Sequence, residues 1–174
     1  PRAQLWDLTQ GTSHTLEHRA KVEAIAFSPK GELAATGGLD QTVRLWDPRT
    51  GKGRLLGEQL GEIYILTFSP DGRQLAAGNA QGQLRLWNLR TGRSELLGSQ
   101  GGRINDAVFS RDGRFLATSS DDRTVLLWDL KTNHSRVLRG PKGAVHPVDF
   151  SPDGRWLAVG SYDTTVRVYG VTAE

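Results

Sequence analysis

A segment of about 41 residues recurs along this chain of 174 residues, and it constrains the fold more than any other feature. The clearest copy of its core is Thr42–Asp47, Thr-Val-Arg-Leu-Trp-Asp, in which apolar and polar residues alternate. The aromatic positions of the successive copies are Trp6, Trp46, Trp87, Trp128 and Tyr169. Alternation with a period of two is typical of a β-strand with one buried face. One such strand cannot bury its apolar face alone, so neighbouring copies must pack on one another.

A second motif, Phe-Ser-Pro-Asp-Gly, recurs with the same period. Its copies begin at Phe27, Phe68, Phe109 and Phe150, with Lys30 in place of Asp in the first and Arg111 in place of Pro in the third. Pro sets φ at the first position of a tight turn, Asp suits the second, and Gly supplies the positive φ that closes it. An apolar run lies on each side of this turn, and a more polar run follows the Trp strand. The pattern predicts four strands per repeat and no helix.

Composition narrows the possible functions. The absence of Cys excludes disulfides, thiol catalysis and Cys-ligated metal, and is compatible with the cytoplasm. The net charge of +3 is spread among acidic residues without a block of like charge, which favours solvated strand faces over nucleic-acid binding. No apolar run approaches the roughly 20 residues of a membrane helix, and no His pair has ligand-like spacing beside a carboxylate. We therefore expect a soluble, cytoplasmic protein with no metal or cofactor.

The two motifs, repeated at 41 residues, resemble the WD-repeat family of β-propellers. The resemblance covers essentially the whole chain and implies an all-β fold of four-stranded antiparallel blades, in which the sequence repeat is offset from the blade. We expect a single propeller region over residues 1–174. Its repeats would lie at about 8–47, 48–88, 89–129 and 130–170, after a partial repeat at 1–7.

Counting strands leaves the two ends of the chain unmatched. Three complete blades and one incomplete blade can be drawn, at 21–57, 62–98, 103–139 and 144–169. Ser13–His18 is the only spare outer strand for the last blade, and strand 3–7 would then be surplus. Four repeats are few for the family, in which seven blades are usual. We therefore expect part of a larger propeller, or a chain that closes with copies of itself, such as a dimer forming an eight-bladed ring.

The first repeat holds His18, Thr36, Asp40 and Trp46, whose types are also those of a Ser/His/Asp hydrolase site. The resemblance implies a structural tetrad instead, in which Asp bonds His, His bonds the hydroxyl and the hydroxyl bonds the Trp N–H. The matching residues are Gln59, Ala77, Gln81 and Trp87 in the second repeat, Gln100, Thr118, Asp122 and Trp128 in the third, and Pro141, Val159, Asp163 and Tyr169 in the fourth. We therefore expect the full network in the first repeat alone. No exposed nucleophile is evident, so we expect no catalytic residue and no enzyme.

In WD-repeat proteins, partners mostly bind the rim of the central channel. The matching rim residues here are Lys21, Glu23, Leu39, Glu62, Tyr64, Arg103, Asn105, Asp121, His146 and Tyr162. Exposed aromatic and Arg residues tend to anchor interfaces, which favours Tyr64, Arg103, His146 and Tyr162. The predicted function is a non-catalytic scaffold, docking or sensor module for proteins or peptides. Two alternatives stay open: a repeat fragment or engineered repeat protein that self-assembles without a ligand, and a propeller that binds carbohydrate or nucleic acid.

Overall fold

The computed structural model describes residues 2–59 and 61–171, and every regular element in these ranges is a β-strand. The leading hairpin pairs β1 (Arg2–Asp7) with β2 (Thr12–Glu17). Blade 1 contains β3 (Val22–Phe27), β4 (Ala34–Gly38), β5 (Thr42–Trp46) and β6 (Gly53–Glu58). Blade 2 contains β7 (Ile63–Phe68), β8 (Gln74–Asn79), β9 (Gln83–Asn88) and β10 (Ser94–Ser99). Blade 3 contains β11 (Ile104–Phe109), β12 (Phe115–Ser120), β13 (Val125–Asp129) and β14 (His134–Leu138). Blade 4 has three strands, β15 (Val145–Phe150), β16 (Trp156–Ser161) and β17 (Val166–Gly170).

Each blade is an antiparallel sheet whose strands pair in chain order, so the predicted all-β fold of antiparallel blades is confirmed. The sheets do not close into a ring, which is consistent with a partial propeller. The Phe-Ser-Pro-Asp-Gly motif forms the turn between the first two strands of each blade. In each turn the Gly N–H donates to the Ser carbonyl at 2.8–2.9 Å, with a φ of 69–71° that favours Gly. Because strand direction alternates, the loops that carry the predicted rim residues lie at the ends of the strands opposite to these turns.

Each blade packs one sheet face onto the next blade along the chain. Ala35, Val43 and Leu45 of blade 1, for example, share a buried cluster with Ile63 and Leu66 of blade 2. Similar clusters join blade 2 to blade 3 and blade 3 to blade 4. We call the face that packs onto the following blade the forward face. The core is therefore a series of layers between blades, as the repeat predicts.

The two ends of the array are left partly uncovered. The leading hairpin packs Leu5 and Leu16 onto Ala34 and Trp46. These two residues lie on the outer half of the face of blade 1 that points away from blade 2. The inner half of that face, with Ile25 and Phe27, stays exposed. At the other end, the forward face of blade 4 exposes Trp156, Ala158, Val166 and Val168.

The spare outer strand does not complete the last blade. The segment predicted at Ser13–His18 forms β2 and pairs with β1, while β17 pairs with β16 alone among the described strands. A short turn joins β1 to β2, in which the Gly11 N–H donates to the Asp7 carbonyl at 2.8 Å. Closing this short loop loses less chain entropy than bringing together segments about 150 residues apart. The expectation that strand 3–7 is surplus is therefore wrong within one chain, because this strand pairs with β2.

Candidate functional site

The predicted rim residues are held together in each blade by one main-chain hydrogen bond. The residue before the Asp position of the tetrad donates its N–H to the carbonyl of the residue that precedes the first strand. These bonds are Leu39 to Lys21 (2.9 Å), Ala80 to Glu62 (2.9 Å), Asp121 to Arg103 (3.0 Å) and Tyr162 to Ala144 (2.9 Å). The bond fixes the turn between the second and third strands against the loop into the first strand. The rim positions of each blade therefore form one surface.

Side chains of blades 1 and 2 form two polar pairs on this surface. Lys21 Nζ lies 2.8 Å from Glu23 Oε1, and this bond raises the pKa of Lys21. The Tyr64 hydroxyl donates to Glu62 Oε2 at 3.0 Å. That hydrogen bond, followed by burial and the carboxylate charges of Glu62 and Glu23, raises the pKa of Tyr64 against the opposing charge of Arg103. Tyr64 is therefore a neutral hydrogen-bond donor at physiological pH.

Arg103 joins blade 2 to blade 3 at the rim. Its guanidinium carbon lies 5.0 Å from the centre of the Tyr64 ring, within the range of a cation–π contact. Its Nε donates to Asn105 Oδ1 at 2.8 Å and lies 3.5 Å from Asp121 Oδ2. Because Asn105 also donates to Asp121 Oδ1 at 2.8 Å, these side chains hold one another in place. We call Glu62, Tyr64, Arg103, Asn105 and Asp121 the rim cluster.

Three side chains of blade 3 hold the main chain of β15 in blade 4. Asn105 Nδ2 donates to the Val145 carbonyl at 2.9 Å, and Ser119 Oγ donates to the His146 carbonyl at 2.6 Å. The Val148 N–H donates to Asp106 Oδ2 at 3.1 Å. Burial raises the pKa of Asp106, although main-chain N–H groups of Val148 and Ala107 oppose this effect. These contacts fix the strand that carries His146.

Sequence reasoning missed the roles of Asp106 and Ser119 in this contact. The matching residues in the preceding blades are Ala24 and Ile65 for Asp106, and Gly37 and Gly78 for Ser119, so neither polar residue follows the repeat. Pro147 in β15 has no N–H to donate within the strand. The pairing of β15 with β16 shifts register between Val145 and Val148, and the equivalent pairs of the other three blades shift register near the same place, so this irregularity follows the repeat.

The remaining rim residues lie at the edges of this surface. His146 and Tyr162 form an edge-to-face pair with ring centres 4.8 Å apart, and 72% of Tyr162 is exposed. They border an open groove of about 420 Å³ that is also lined by Pro147, Gly160 and Val166. Leu39 is half-buried. The structure thus brings the rim cluster together, with Lys21–Glu23 and His146–Tyr162 as separate pairs.

Beneath the rim, the four predicted tetrad side chains of the first repeat form one continuous chain of hydrogen bonds. Trp46 Nε1 donates to Thr36 Oγ1 at 2.7 Å, and Thr36 Oγ1 lies 2.6 Å from His18 Nε2. His18 Nδ1 lies 2.9 Å from Asp40 Oδ2. Since Trp can only donate and an ionised Asp can only accept, Thr36 Oγ1 accepts from Trp46 and the Nδ1–H of His18 donates to Asp40.

The Asp40 side chain is only 5% exposed, and its carboxylate accepts four hydrogen bonds that compensate for the lost contact with water. Oδ1 accepts from the Thr42 N–H (3.1 Å) and hydroxyl (2.8 Å), and Oδ2 accepts from His18 and the Arg19 N–H (3.0 Å). Burial alone would raise the pKa of Asp40, but the hydrogen bonds from Thr42, His18 and Arg19 together outweigh it. They lower the pKa of Asp40 to about 2, from an ordinary value of 3.8.

The third blade forms a continuous network with a different connector. Trp128 Nε1 donates to Thr118 Oγ1 (3.0 Å), which donates to Gln100 Oε1 (2.7 Å). Gln100 Nε2 donates to the Thr124 hydroxyl (3.0 Å), which donates to Asp122 Oδ1 (2.6 Å). The expectation of a full network in the first repeat alone therefore needs correction for this blade. Gln can accept and donate like neutral His, and Thr124 bridges the remaining distance to Asp122.

The profile of the family described as "WD domain, G-beta repeat" (WD40) matches residues 11–47, 53–88, 92–129 and 132–170. The chain belongs to the WD40 family. Two curated relatives match parts of its WD40 repeats. Ribosome assembly protein 4 of Chaetomium thermophilum is 42% identical over 52 residues, which are 28% of this chain and 10% of the relative. Ribosome biogenesis protein ERB1 of Yarrowia lipolytica is 51% identical over 35 residues, which are 20% of this chain and 4% of the relative. The chain thus matches a tenth or less of either relative.

WD40 proteins are generally non-enzymatic scaffolds, and the repeats imply protein–protein interaction. Residues 2–59 and 61–171 contain no helix that is long and apolar enough to cross a membrane. In the same ranges, no group of three or more His, Asp or Glu side chains is placed to hold a metal ion.

The second WD40 repeat leaves a polar atom unsatisfied at the centre of its network. Gln59 corresponds to Gln100, but Ala77 and Gln83 stand where blade 3 has its two Thr residues. Gln59 Nε2 donates to the Gln83 carbonyl at 3.2 Å, while its buried Oε1 has no hydrogen-bond partner within the described residues. A buried acceptor without a partner destabilises the folded state. The WD40 blades therefore differ in how well their interior polar groups are satisfied.

We expect Ala77→Thr to raise the free energy of unfolding by about 1 kcal/mol, because the new hydroxyl can donate to Gln59 Oε1 and accept from Trp87. Thr occupies this position in blades 1 and 3 and is fully buried there, so its volume fits the repeat. Ala77→Val is the matched control, since it has the same shape without the hydroxyl. Urea unfolding measures both variants. Equal effects of Thr and Val would show that filled volume, rather than a hydrogen bond, changes the stability.

Proposed function

We propose that this chain is a non-catalytic docking module that binds protein or peptide partners on the rim. The observation that carries the proposal is the rim cluster, in which Tyr64, Arg103, Asn105 and Asp121 hold one another across the boundary between blades 2 and 3. Tyr and Arg are the residue types that most often anchor interfaces. Because their contacts already restrict them in the free chain, binding loses little side-chain entropy.

The buried networks support the non-catalytic part of this proposal. A hydrolytic site needs a nucleophile that a substrate can reach. Thr36, whose hydroxyl contacts His18, is fully buried and accepts from Trp46. The Thr42 hydroxyl, which donates to Asp40, is also buried. The function of His18, Thr36, Asp40 and Trp46 in this proposal is to rigidify blade 1 and so to hold the rim positions above it.

The choice of a protein partner rests on the charge of the rim. The carboxylates of Glu23 and Asp121 lie beside Lys21 and Arg103, and Glu62 adds a further negative charge beside Tyr64, which disfavours a polyanion such as nucleic acid. The two relatives are named for ribosome assembly and biogenesis, but each match is short, so we propose no ribosomal partner. We propose the cytoplasm as the compartment, with which a Cys-free composition is compatible.

We expect affinity capture from a cell extract to retain partner proteins on the wild-type chain. Tyr64→Ala and Arg103→Ala should each bind these proteins at least about tenfold more weakly. Lys30→Ala and Lys131→Ala are the controls, because both residues are exposed and lie in turns at the opposite ends of the strands. Unchanged melting temperatures exclude unfolding as the cause. Retained proteins that both rim variants bind as well as the wild type would disprove the rim as the docking surface.

Self-assembly is a second candidate function, favoured by the exposed forward face of blade 4. Val166 and Val168 are 75% and 61% exposed, whereas Val125 and Leu127, 41 residues earlier, are buried against the next blade. Exposed apolar faces of this kind are typical of association surfaces. We expect the sedimentation coefficient to rise with protein concentration. A folded monomer at every accessible concentration would rule out this candidate.

A further inference from the structure

Arg103 is held in one orientation at the rim by contacts on three sides. Its guanidinium carbon lies over the Tyr64 ring, 5.0 Å from the ring centre, and its Nε donates to Asn105 Oδ1 at 2.8 Å. Its main-chain carbonyl accepts from the Asp121 N–H at 3.0 Å. Asn105 cannot turn away, because its amide donates to both Asp121 Oδ1 and the Val145 carbonyl. The direction of the guanidinium is therefore set before any partner binds.

The two terminal NH₂ groups of this guanidinium donate no hydrogen bond to residues 2–59 and 61–171, and 37% of the Arg103 side chain is exposed. Each neighbouring carboxylate, by contrast, already contacts a donor of another rim side chain. These pairs are Lys21–Glu23, Tyr64–Glu62 and Asn105–Asp121. The free planar donors of the rim therefore belong to a cation, which favours an anionic ligand.

We propose that the terminal NH₂ groups of Arg103 bind the carboxylate of an Asp or Glu side chain in a protein partner. This inference rests on the docking function proposed above and specifies the chemistry of the partner. Two parallel N–H groups in one plane match the two oxygens of a carboxylate, so the contact is bidentate. Because Arg103 is already oriented, the contact loses little side-chain entropy on binding.

The surrounding charge favours a carboxylate over a phosphate. Asp121 Oδ2 lies 3.5 Å from Arg103 Nε, and Glu62 adds a second carboxylate beside Tyr64. These charges repel a phosphate group, which carries nearly two negative charges, about twice as strongly as a carboxylate. A single acidic side chain therefore fits this site better than a phosphorylated peptide does.

Blade 3 alone presents this arrangement among the equivalent rim positions of the four blades. The residues that match Arg103 are Lys21, Glu62 and Ala144. Glu62 and Ala144 carry no cationic group. The Lys21 ammonium is a point charge without a planar pair of donors, and it already lies 2.8 Å from Glu23 Oε1. The rim therefore offers one anchor of this kind, so one acidic residue of the partner should dominate the contact.

Peptide binding tests the contact directly. Short random peptides with an acetylated N-terminus and an amidated C-terminus are selected on the wild-type chain, so that a side chain is their only source of a carboxylate. Each Asp or Glu of a selected peptide is then replaced by Asn or Gln. We expect one replacement to weaken binding to the wild type at least about tenfold, but binding to Arg103→Gln less than about twofold. Arg103→Lys should keep less than about half of this coupling, because an ammonium preserves the charge without the planar donors.

Arg19→Gln is the matched control, because Arg19 is an exposed arginine in the loop that leads into β3 and its loss removes the same charge. The acidic residue should matter as much to this variant as to the wild type. Unchanged melting temperatures show that all the variants are folded.

Three results would overturn the carboxylate site. They are an equal effect of the replacement on the wild type and on Arg103→Gln, tighter binding of phosphoserine at the same peptide position, and the absence of acidic peptides from those that bind. The docking function would survive each of them if Tyr64→Ala still weakened the binding of captured proteins. It fails separately if captured proteins bind the rim variants as well as the wild type.

Discussion

Asp40→Asn is expected to lower the free energy of unfolding by about 3 kcal/mol at neutral pH, because the amide cannot satisfy the donors that surround this side chain. Each carboxylate oxygen of Asp40 accepts two hydrogen bonds. Oδ1 accepts from the N–H and the hydroxyl of Thr42, and Oδ2 accepts from His18 and the Arg19 N–H. An Asn in either orientation turns its NH₂ group towards two of these donors. Chemical denaturation of the two proteins measures the difference.

The same variant should change the response to acid. The pKa of Asp40 is about 2 in the folded chain against an ordinary value of 3.8, so its ionised form is preferred on folding. This contribution to stability is complete above the ordinary pKa and is lost as the pH falls through the folded pKa. Between about pH 5 and about pH 3, the wild type should lose about 1 kcal/mol that Asp40→Asn does not lose. The other lowered Asp groups titrate in both proteins and cancel.

Asp163→Asn is the matched control, because Asp163 occupies the same turn in blade 4. It accepts from the Lys142 N–H, from Thr165 and from the partly exposed Arg167, but Val159 and Tyr169 replace the Thr and Trp of the tetrad. The loss of stability should therefore be smaller for Asp163→Asn than for Asp40→Asn. Equal losses would mean that the turn, and not the buried network, accounts for the effect.

Gly37→Val should also destabilise the fold by about 3 kcal/mol, although Val is a better strand former than Gly. A Cβ at this position would lie 2.7 Å from Ile63 Cγ2 and 2.9 Å from Ile63 Cβ, across the boundary between blades 1 and 2. Both side chains belong to a closely packed interior, so neither can move aside without disturbing its neighbours. Thermal unfolding of the variant should show a clear drop in the melting temperature.

A double-mutant cycle identifies the clash as the cause. Ile63→Ala removes the side chain that the introduced valine would meet, and it destabilises the chain on its own by opening a cavity. The combined change Gly37→Val with Ile63→Ala should then be at least about 1 kcal/mol more stable than the sum of the two single effects predicts. Additive effects would place the penalty in the backbone of β4 rather than in the contact between blades.

The rim and the buried networks show how far sequence reasoning reaches. Gln100 was recognised as the residue in the His position, but its network depends on Thr124, which lies outside the four tetrad positions. The contact of Asp106 with the Val148 N–H joins residues 42 positions apart in different blades. A repeat alignment compares equivalent positions, so it does not reveal a contact between positions that are not equivalent.

The sequence alone determined the period of 41 residues, the strand pattern and the turns, because each depends on residues close together in the chain. Alternation sets the buried face of a strand, and the Ser-Pro-Asp-Gly turn sets where the chain reverses. The tertiary structure decided which strands pair at the two ends and which side chains meet between blades. The pairing of β2 with β1 depends on the closure of a short loop and on the packing of Leu5 and Leu16 against Trp46. In each case, segments that lie far apart in the sequence could occupy the same place, and the local sequence pattern does not show which of them does.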